Sequence, residues 1–308
     1  MTTSGGGGTT LLLIDVQKSF HPGGSLGIPG ADEDASRIAD LVRRGGTSID
    51  RIVMTMDTHQ KLHIAHPGFW VSGKGDGTAT PEPFTIISCD DVRAGTWRPR
   101  PNIALPTAEP LVDAGTFERS GGDVSSVLNE EDGSIDVAAY CVEYTRLLEK
   151  RGRFKLCVWP EHCLVGTNGH CVVDEVLEAV MGWTDATGKS VEWVHKGMNL
   201  LTESYSSLAA EVPICADTSL NDKVDASLRQ SGRLLVAGQA LSHCVNYTAR
   251  DVVERWPEGR REDVVILTDC SRSVPGFEDA GEKFLEDMKA KGVTLSTAAE
   301  AAIELTAA

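Results

Sequence analysis

Short, continuous apolar runs alternate along this chain with longer stretches of helical periodicity. TLLLIDVQ, RIVMTMD, KLCVWP, VEWVHKG, LLVAGQ, DVVILTDC and GVTLST read as strands, and the spacing of apolar residues predicts helices over 31–44, 172–181, 244–256 and 278–291. Runs of Leu, Val and Ile without polar alternation belong to strands covered on both faces, as in a parallel sheet between two helical layers. The predicted class is α/β, a three-layer sandwich with a mostly parallel six-stranded sheet and helices on both faces. Ligands of such sheets sit beyond the carboxyl ends of the strands. Asp15, Asp57, Trp159, Lys196 and Cys244 all fall at or just after predicted strand ends.

Residues 67–155 break the alternation. This Pro/Gly-rich stretch includes KGDGTATPEP and RPRPNIALP, and helical periodicity returns only from Ile135 to Leu148. It reads as a long insertion packed on one domain spanning 1–308, with a disordered-looking leader over 1–9. MTTSGGGGTT has neither the basic start nor the apolar middle of a secretory signal, and no run is long enough to span a membrane, so the cytoplasm is the expected compartment. Acidic residues outnumber basic ones 45 to 29, a formal charge of -16. That balance repels nucleic acid and anionic membranes and leaves a small molecule as the expected partner. The eight cysteines form no C-x-x-C pair and no dense framework, so most are expected in the core, and Cys157, Cys163 and Cys171 lack zinc-finger spacing.

Cys244 carries the sharpest chemistry. In LLVAGQALSHCVNYTARDVVE a strand ends in a turn and a helix begins as the thiol appears. The first amides of a helix have no intrahelical acceptor and carry the positive end of its dipole, which favours a thiolate and can hold an oxyanion. Asp15 and Lys196, at two other strand ends, complete a candidate Cys-Asp-Lys set. A second cluster, MDTHQKLHIAHPGFW, brings Asp57 and His59 together at a strand end, and His162 follows in CVWPEHCLVGTNGH. Carboxylate with imidazole suits one divalent ion, zinc before iron or manganese. His63 and His66 stay open as a fourth ligand, a supporting partner or structural residues. Three motifs are decoys: GWTDATGKS has the wrong glycine spacing for a phosphate loop, GGSLG is too short for a dinucleotide fingerprint, and Ser242-His243 lacks a G-x-S-x-G elbow.

These segments resemble the isochorismatase-like cysteine hydrolases, and among them the nicotinamidases, also called pyrazinamidases. LLLIDVQKSF is similar to the family's first strand with its catalytic aspartate, DTHQKLH to its metal segment, WPEHCLVGTNG to the segment with the next ligand, KGMNLLTESYSSL to its lysine segment and GQALSHCV to its nucleophile turn. The resemblance implies a Rossmann-like strand order, catalytic roles for Cys244, Asp15 and Lys196, and metal ligation by Asp57, His59 and His162. It further implies an oxyanion hole from the amides of Ala240 and Cys244, with a cis peptide before Ala240. Phe20, Trp159 and Tyr205 fall on aromatic positions around a pyridine ring. The implied reaction is hydrolysis of nicotinamide to nicotinate and ammonia, with hydrolysis of another amide, carbamate or ureido group as the alternative, and a non-catalytic binder of the same fold as a third reading. Relatives often form homo-oligomers. The chain departs from the pattern at Lys18-Ser19, at Ser242 and in the length of the insertion, which could cover the pocket mouth.

Overall fold

A computed structural model describes residues 7–106, 111–129 and 132–307. Six strands, β1 (Thr9–Ile14), β2 (Arg51–Asp57), β3 (Glu192–Lys196), β4 (Arg233–Gly238), β5 (Val264–Leu267) and β6 (Thr294–Ser296), form one sheet in the order β6-β5-β4-β1-β2-β3. Every pairing in it is parallel. This is the doubly wound, Rossmann-like order, with its switch point between β1 and β4.

Alternate residues of each strand feed opposite layers. Leu12, Ile14, Val53, Val236 and Ile266 join the core shared with α2 (Val137–Arg151), α5 (Cys244–Arg255) and α6 (Glu278–Ala290). Leu11, Leu13, Met54, Leu235 and Leu267 pack against α1 (Ala31–Gly45), α3 (Asp174–Thr187) and α7 (Ala298–Ala307). Burial on both faces explains why the strands read as unbroken apolar runs. Helix ends follow local chemistry: the Asp136 side chain accepts from the Ala138 and Ala139 amides at the start of α2, and Gly152 ends it in the left-handed region. GWTDATGKS is likewise the end of α3, with Gly188 as its left-handed cap.

The run KLCVWP departs from expectation. Only Leu156–Cys157 is extended, and it pairs antiparallel with Ile86–Ile87 outside the main sheet, so Trp159 does not follow a strand of that sheet. Its apolar composition reflects burial against the insertion rather than membership of the parallel sheet. The helices run Ala31–Gly45, Asp174–Thr187, Cys244–Arg255 and Glu278–Ala290, and α4 (Asp222–Arg229) and α7 were not anticipated. Of the expected leader, residues 1–6 lie outside the described residues, Gly8 O accepts from Gly232 N and Thr9 already belongs to β1. Among the described residues no helix is long and apolar enough to cross a membrane. Six of the eight cysteines are buried, Cys171 is exposed and Cys215 intermediate.

Candidate active site

The ends of β1, β2, β3 and β4 lie side by side, with Ile14 in register with Thr55 and Gly238, and Asp57 with Lys196. This adjacency places Asp15, Asp57, Lys196 and the turn leading to Cys244 on one rim. Asp15, with φ of 48°, leaves the strand in the left-handed region and is fully buried. Thr55 Oγ1 donates to Asp15 Oδ1 at 2.5 Å. The Lys196 ammonium lies 3.0 Å from Asp15 Oδ2, 2.9 Å from Asp57 Oδ1 and 3.5 Å from Cys244 Sγ, and also donates to Ser204 O at 2.9 Å.

Burial opposes the charge on each group, and the partners decide the outcome. Burial lifts the Asp15 carboxyl above its ordinary range against the pull of Lys196. Burial also pushes the Cys244 thiol well up, again against Lys196. Burial would discharge Lys196, but Asp15 and Asp57 outweigh it and hold the ammonium well above its usual range. The resting site therefore pairs a protonated sulfur with a carboxylate whose proton affinity is enhanced, beside a fixed cation.

Across Lys196 lies a cluster of imidazoles. Asp57 Oδ2 is 3.0 Å from His59 Nε2 and 3.3 Å from His162 Nε2. Ring nitrogens of His59, His66 and His162 lie within 4.8 Å of one another. Nδ1 of buried His59 and Nε2 of His63 and of His66 have no hydrogen-bond partner, and His59 Nε2 approaches Asp57 without making a hydrogen bond. Imidazole nitrogens orphaned around one point, with a carboxylate at the edge, fit a tetrahedral-type divalent metal. His162 Nδ1 faces Pro160 O at 2.8 Å, which fixes the ring and leaves Nε2 facing Asp57. His63 has a different place: its Nδ1 accepts from the Ala65 amide at 3.2 Å, and its ring packs on His59.

Phe20, Trp159 and Tyr205, all buried, wall a cavity of about 20 Å³ together with Asp57, Ala240 and Cys244. Trp159 Nε1 donates to the Tyr205 hydroxyl at 2.9 Å. Two wall residues escaped sequence reasoning. His243 packs its ring 4.9 Å from Trp159 and 5.0 Å from Tyr205, and burial lowers it to about 3, so it is neutral. Glu203, 2% exposed, accepts from the Ser204 amide through Oε1 while Oε2 has no partner. Glu203 follows no strand directly, and His243 entered the sequence reading only within the Ser242-His243 decoy. Among the described residues none of 67–155 lines the cavity, although Phe84 packs on Trp159 and Phe154 on Tyr205, with ring centroids 5.8 and 4.5 Å apart.

The turn before Cys244 is tightly built. Gly238 has φ of 123°, the Gln239–Ala240 peptide is cis, and Ala240 O accepts from the His243 and Val245 amides. Helix α5 then begins at Cys244, so the sulfur sits on its first turn.

No family model matches the chain. It is similar to the nicotinamidase of Saccharomyces cerevisiae, 23% identical over 286 residues that make up 92% of this chain and 97% of the relative. It is also similar to the nicotinamidase of Acinetobacter baylyi, 42% identical over 137 residues, 43% of this chain and 62% of that one. Among solved structures, the yeast nicotinamidase bound to the inhibitor nicotinaldehyde superposes with a TM-score of 0.58 at 19% identity, covering 94% of this chain and 99% of the other. The pyrazinamidase of Pyrococcus horikoshii in complex with zinc gives 0.51 at 18% identity, over 94% and 98%.

Proposed function

We propose, for a chain that shares the nicotinamidase fold and resembles a nicotinamidase along nearly its whole length, a metal-dependent cysteine amidohydrolase that converts nicotinamide to nicotinate and ammonia. The observation that carries this reading is the buried contact of one ammonium, Lys196 Nζ, with both the Asp15 carboxylate and the Cys244 sulfur, the sulfur's residue lining the adjoining aromatic cavity. A cation, a base and a thiol so placed form an activated nucleophile with little other use.

In the proposed reaction Asp15 takes the thiol proton as Cys244 Sγ bonds to the amide carbon. Lys196 offsets the charge on the sulfur, and the amides of Ala240 and Cys244 hold the oxygen that becomes negative. Asp15 then passes the proton to the leaving nitrogen, the C–N bond breaks, and ammonia departs from a thioester. Asp15 next accepts a proton from water as its oxygen attacks the thioester, and returns it to sulfur as the acid leaves. Phe20, Trp159 and Tyr205 bracket the ring. His59, His66, His162 and Asp57 would hold a divalent ion, zinc by the donor set, whose chemistry is to coordinate the ring nitrogen and orient the carboxamide. The protein would act on this small molecule in the cytoplasm.

Incubation of metal-replete protein with nicotinamide should release ammonia, and Cys244→Ala should release none while keeping fold and metal content. Equal rates in the two proteins would reject the scheme. A panel of other amides, carbamates and ureido compounds, scored by the same assay, distinguishes the alternative substrate.

A further inference from the structure

Helix α1 and the loop after β5 grip the nucleophile turn from behind. Gln239 is fully buried and immediately precedes Ala240, which lines the cavity beside Cys244. The Gln239 amide group donates from Nε2 to Asp34 Oδ2 at 3.0 Å and accepts the Arg272 N–H through Oε1 at 3.2 Å. Its main-chain N–H donates to Ile14 O at 2.8 Å, and the Leu241 N–H donates to Arg272 O at 2.8 Å. Both neighbours of Ala240 are therefore tied down, one of them by its side chain.

Asp34 anchors that tie. It is 1% exposed, and its other oxygen receives Arg272 Nε and an Arg37 guanidinium nitrogen, each at 3.1 Å. A buried carboxylate with two guanidiniums would serve the fold without any link to the turn. The bond to Gln239 is the part that a purely structural triad does not need. It runs between residues 205 apart in sequence and ends one residue from the cavity wall.

We propose that Asp34 is a positioning residue which, by fixing Gln239, keeps the Ala240 amide aimed at the oxygen that turns negative when sulfur attacks. This rests on the reading of Cys244 as nucleophile. Hydrogen-bond donors to a developing oxyanion act through placement, and small displacements cost rate rather than substrate affinity.

The test compares metal-replete wild type with Asp34→Asn, Gln239→Met, their double variant, Arg37→Met and Cys244→Ala. Four quantities are read: kcat and KM for nicotinamide, inhibition by pyridine-3-carboxaldehyde, and the rate at which iodoacetamide alkylates Cys244, followed on its peptide by mass spectrometry. The aldehyde adds the thiol across its carbonyl, the sulfur bonding to carbon and the proton passing to oxygen, so it samples the same oxygen site. Asp34→Asn and Gln239→Met should each lower kcat about ten-fold and weaken the aldehyde by a similar factor, with KM and alkylation within about two-fold of wild type. The double variant should lose no more than the worse single one, because both act through one link. Arg37→Met, which touches Asp34 but not the turn, should match wild type.

Unchanged kcat and aldehyde affinity in Gln239→Met would overturn the proposal, whatever Asp34→Asn does to folding. So would a loss confined to KM or alkylation, or an equal loss in Arg37→Met. Absence of ammonia release from wild type, or full activity in Cys244→Ala, would instead defeat the underlying assignment of the nucleophile.

Discussion

Lys196 is the residue on which most of the local electrostatics turn. It faces two carboxylates and a sulfur with almost no access to solvent, and those partners keep it charged against the cost of burial. Asp15, Lys196 and Cys244 were legible in the sequence because each lies at or shortly after the end of a parallel strand, so sheet topology brings their segments to one rim. His66 and Glu203 were not assignable in this way, and Gln239, though it directly follows β4, takes its place through its side-chain partner. Their placement depends on loop geometry, or on partners as distant as Asp34, and no local spacing encodes either. The histidines give the sharpest single-residue prediction. His63 and His66 each have an orphaned buried Nε2 and an Nδ1 facing the backbone, but only the His66 ring joins His59 and His162 in the set of nitrogens within 4.8 Å of one another. His66→Ala should lower zinc content, measured by mass spectrometry of the dialysed protein, several-fold more than His63→Ala. A reversed order would move the ligand role to His63.

At the level of elements, the β4-to-α5 connection is the most constrained piece of the fold. A Cβ added at Gly238 would sit 2.0 Å from the Ile14 carbonyl oxygen, and φ there is 123°. Only glycine allows β4 to come so close to β1 while turning out of the sheet toward Cys244. Gly238→Ala should destabilise the protein by more than about 2 kcal/mol in urea unfolding and reduce turnover with it; a loss below about 0.5 kcal/mol would show that the strands can separate at no cost. The same scale shows where hydrophobic pattern misleads. KLCVWP has the composition of a central strand, yet it is held in a short antiparallel pair with Ile86–Ile87. A brief apolar run reports burial, and burial beside an insertion looks the same in sequence as burial inside a sheet. The long runs at β1, β2 and β4 carried no such ambiguity, since helices cover both their faces.

The whole molecule sets the segment 67–155 beside a doubly wound sheet, and its stability should depend on pH through groups that do not line the cavity. Glu211 is one. Burial raises its carboxyl to about 8 despite the nearby Arg153, and its Oε1 has no partner. The folded protein thus binds this proton more tightly than the unfolded chain does. The associated stability is complete below pH 4.5 and is lost as pH rises through about 8. Relative to wild type, Glu211→Gln should gain on the order of a few kcal/mol at pH 9 over its difference at pH 5, read from urea titrations at the two values. Parallel pH profiles for the two proteins would refute this.

The narrowness of the cavity beside Trp159 has a kinetic consequence. Its volume, about 20 Å³, accommodates little more than one water molecule, too little for any aromatic ring. An aromatic guest can be seated only if the surrounding side chains part, so its capture should rise more steeply with temperature than simple diffusion allows.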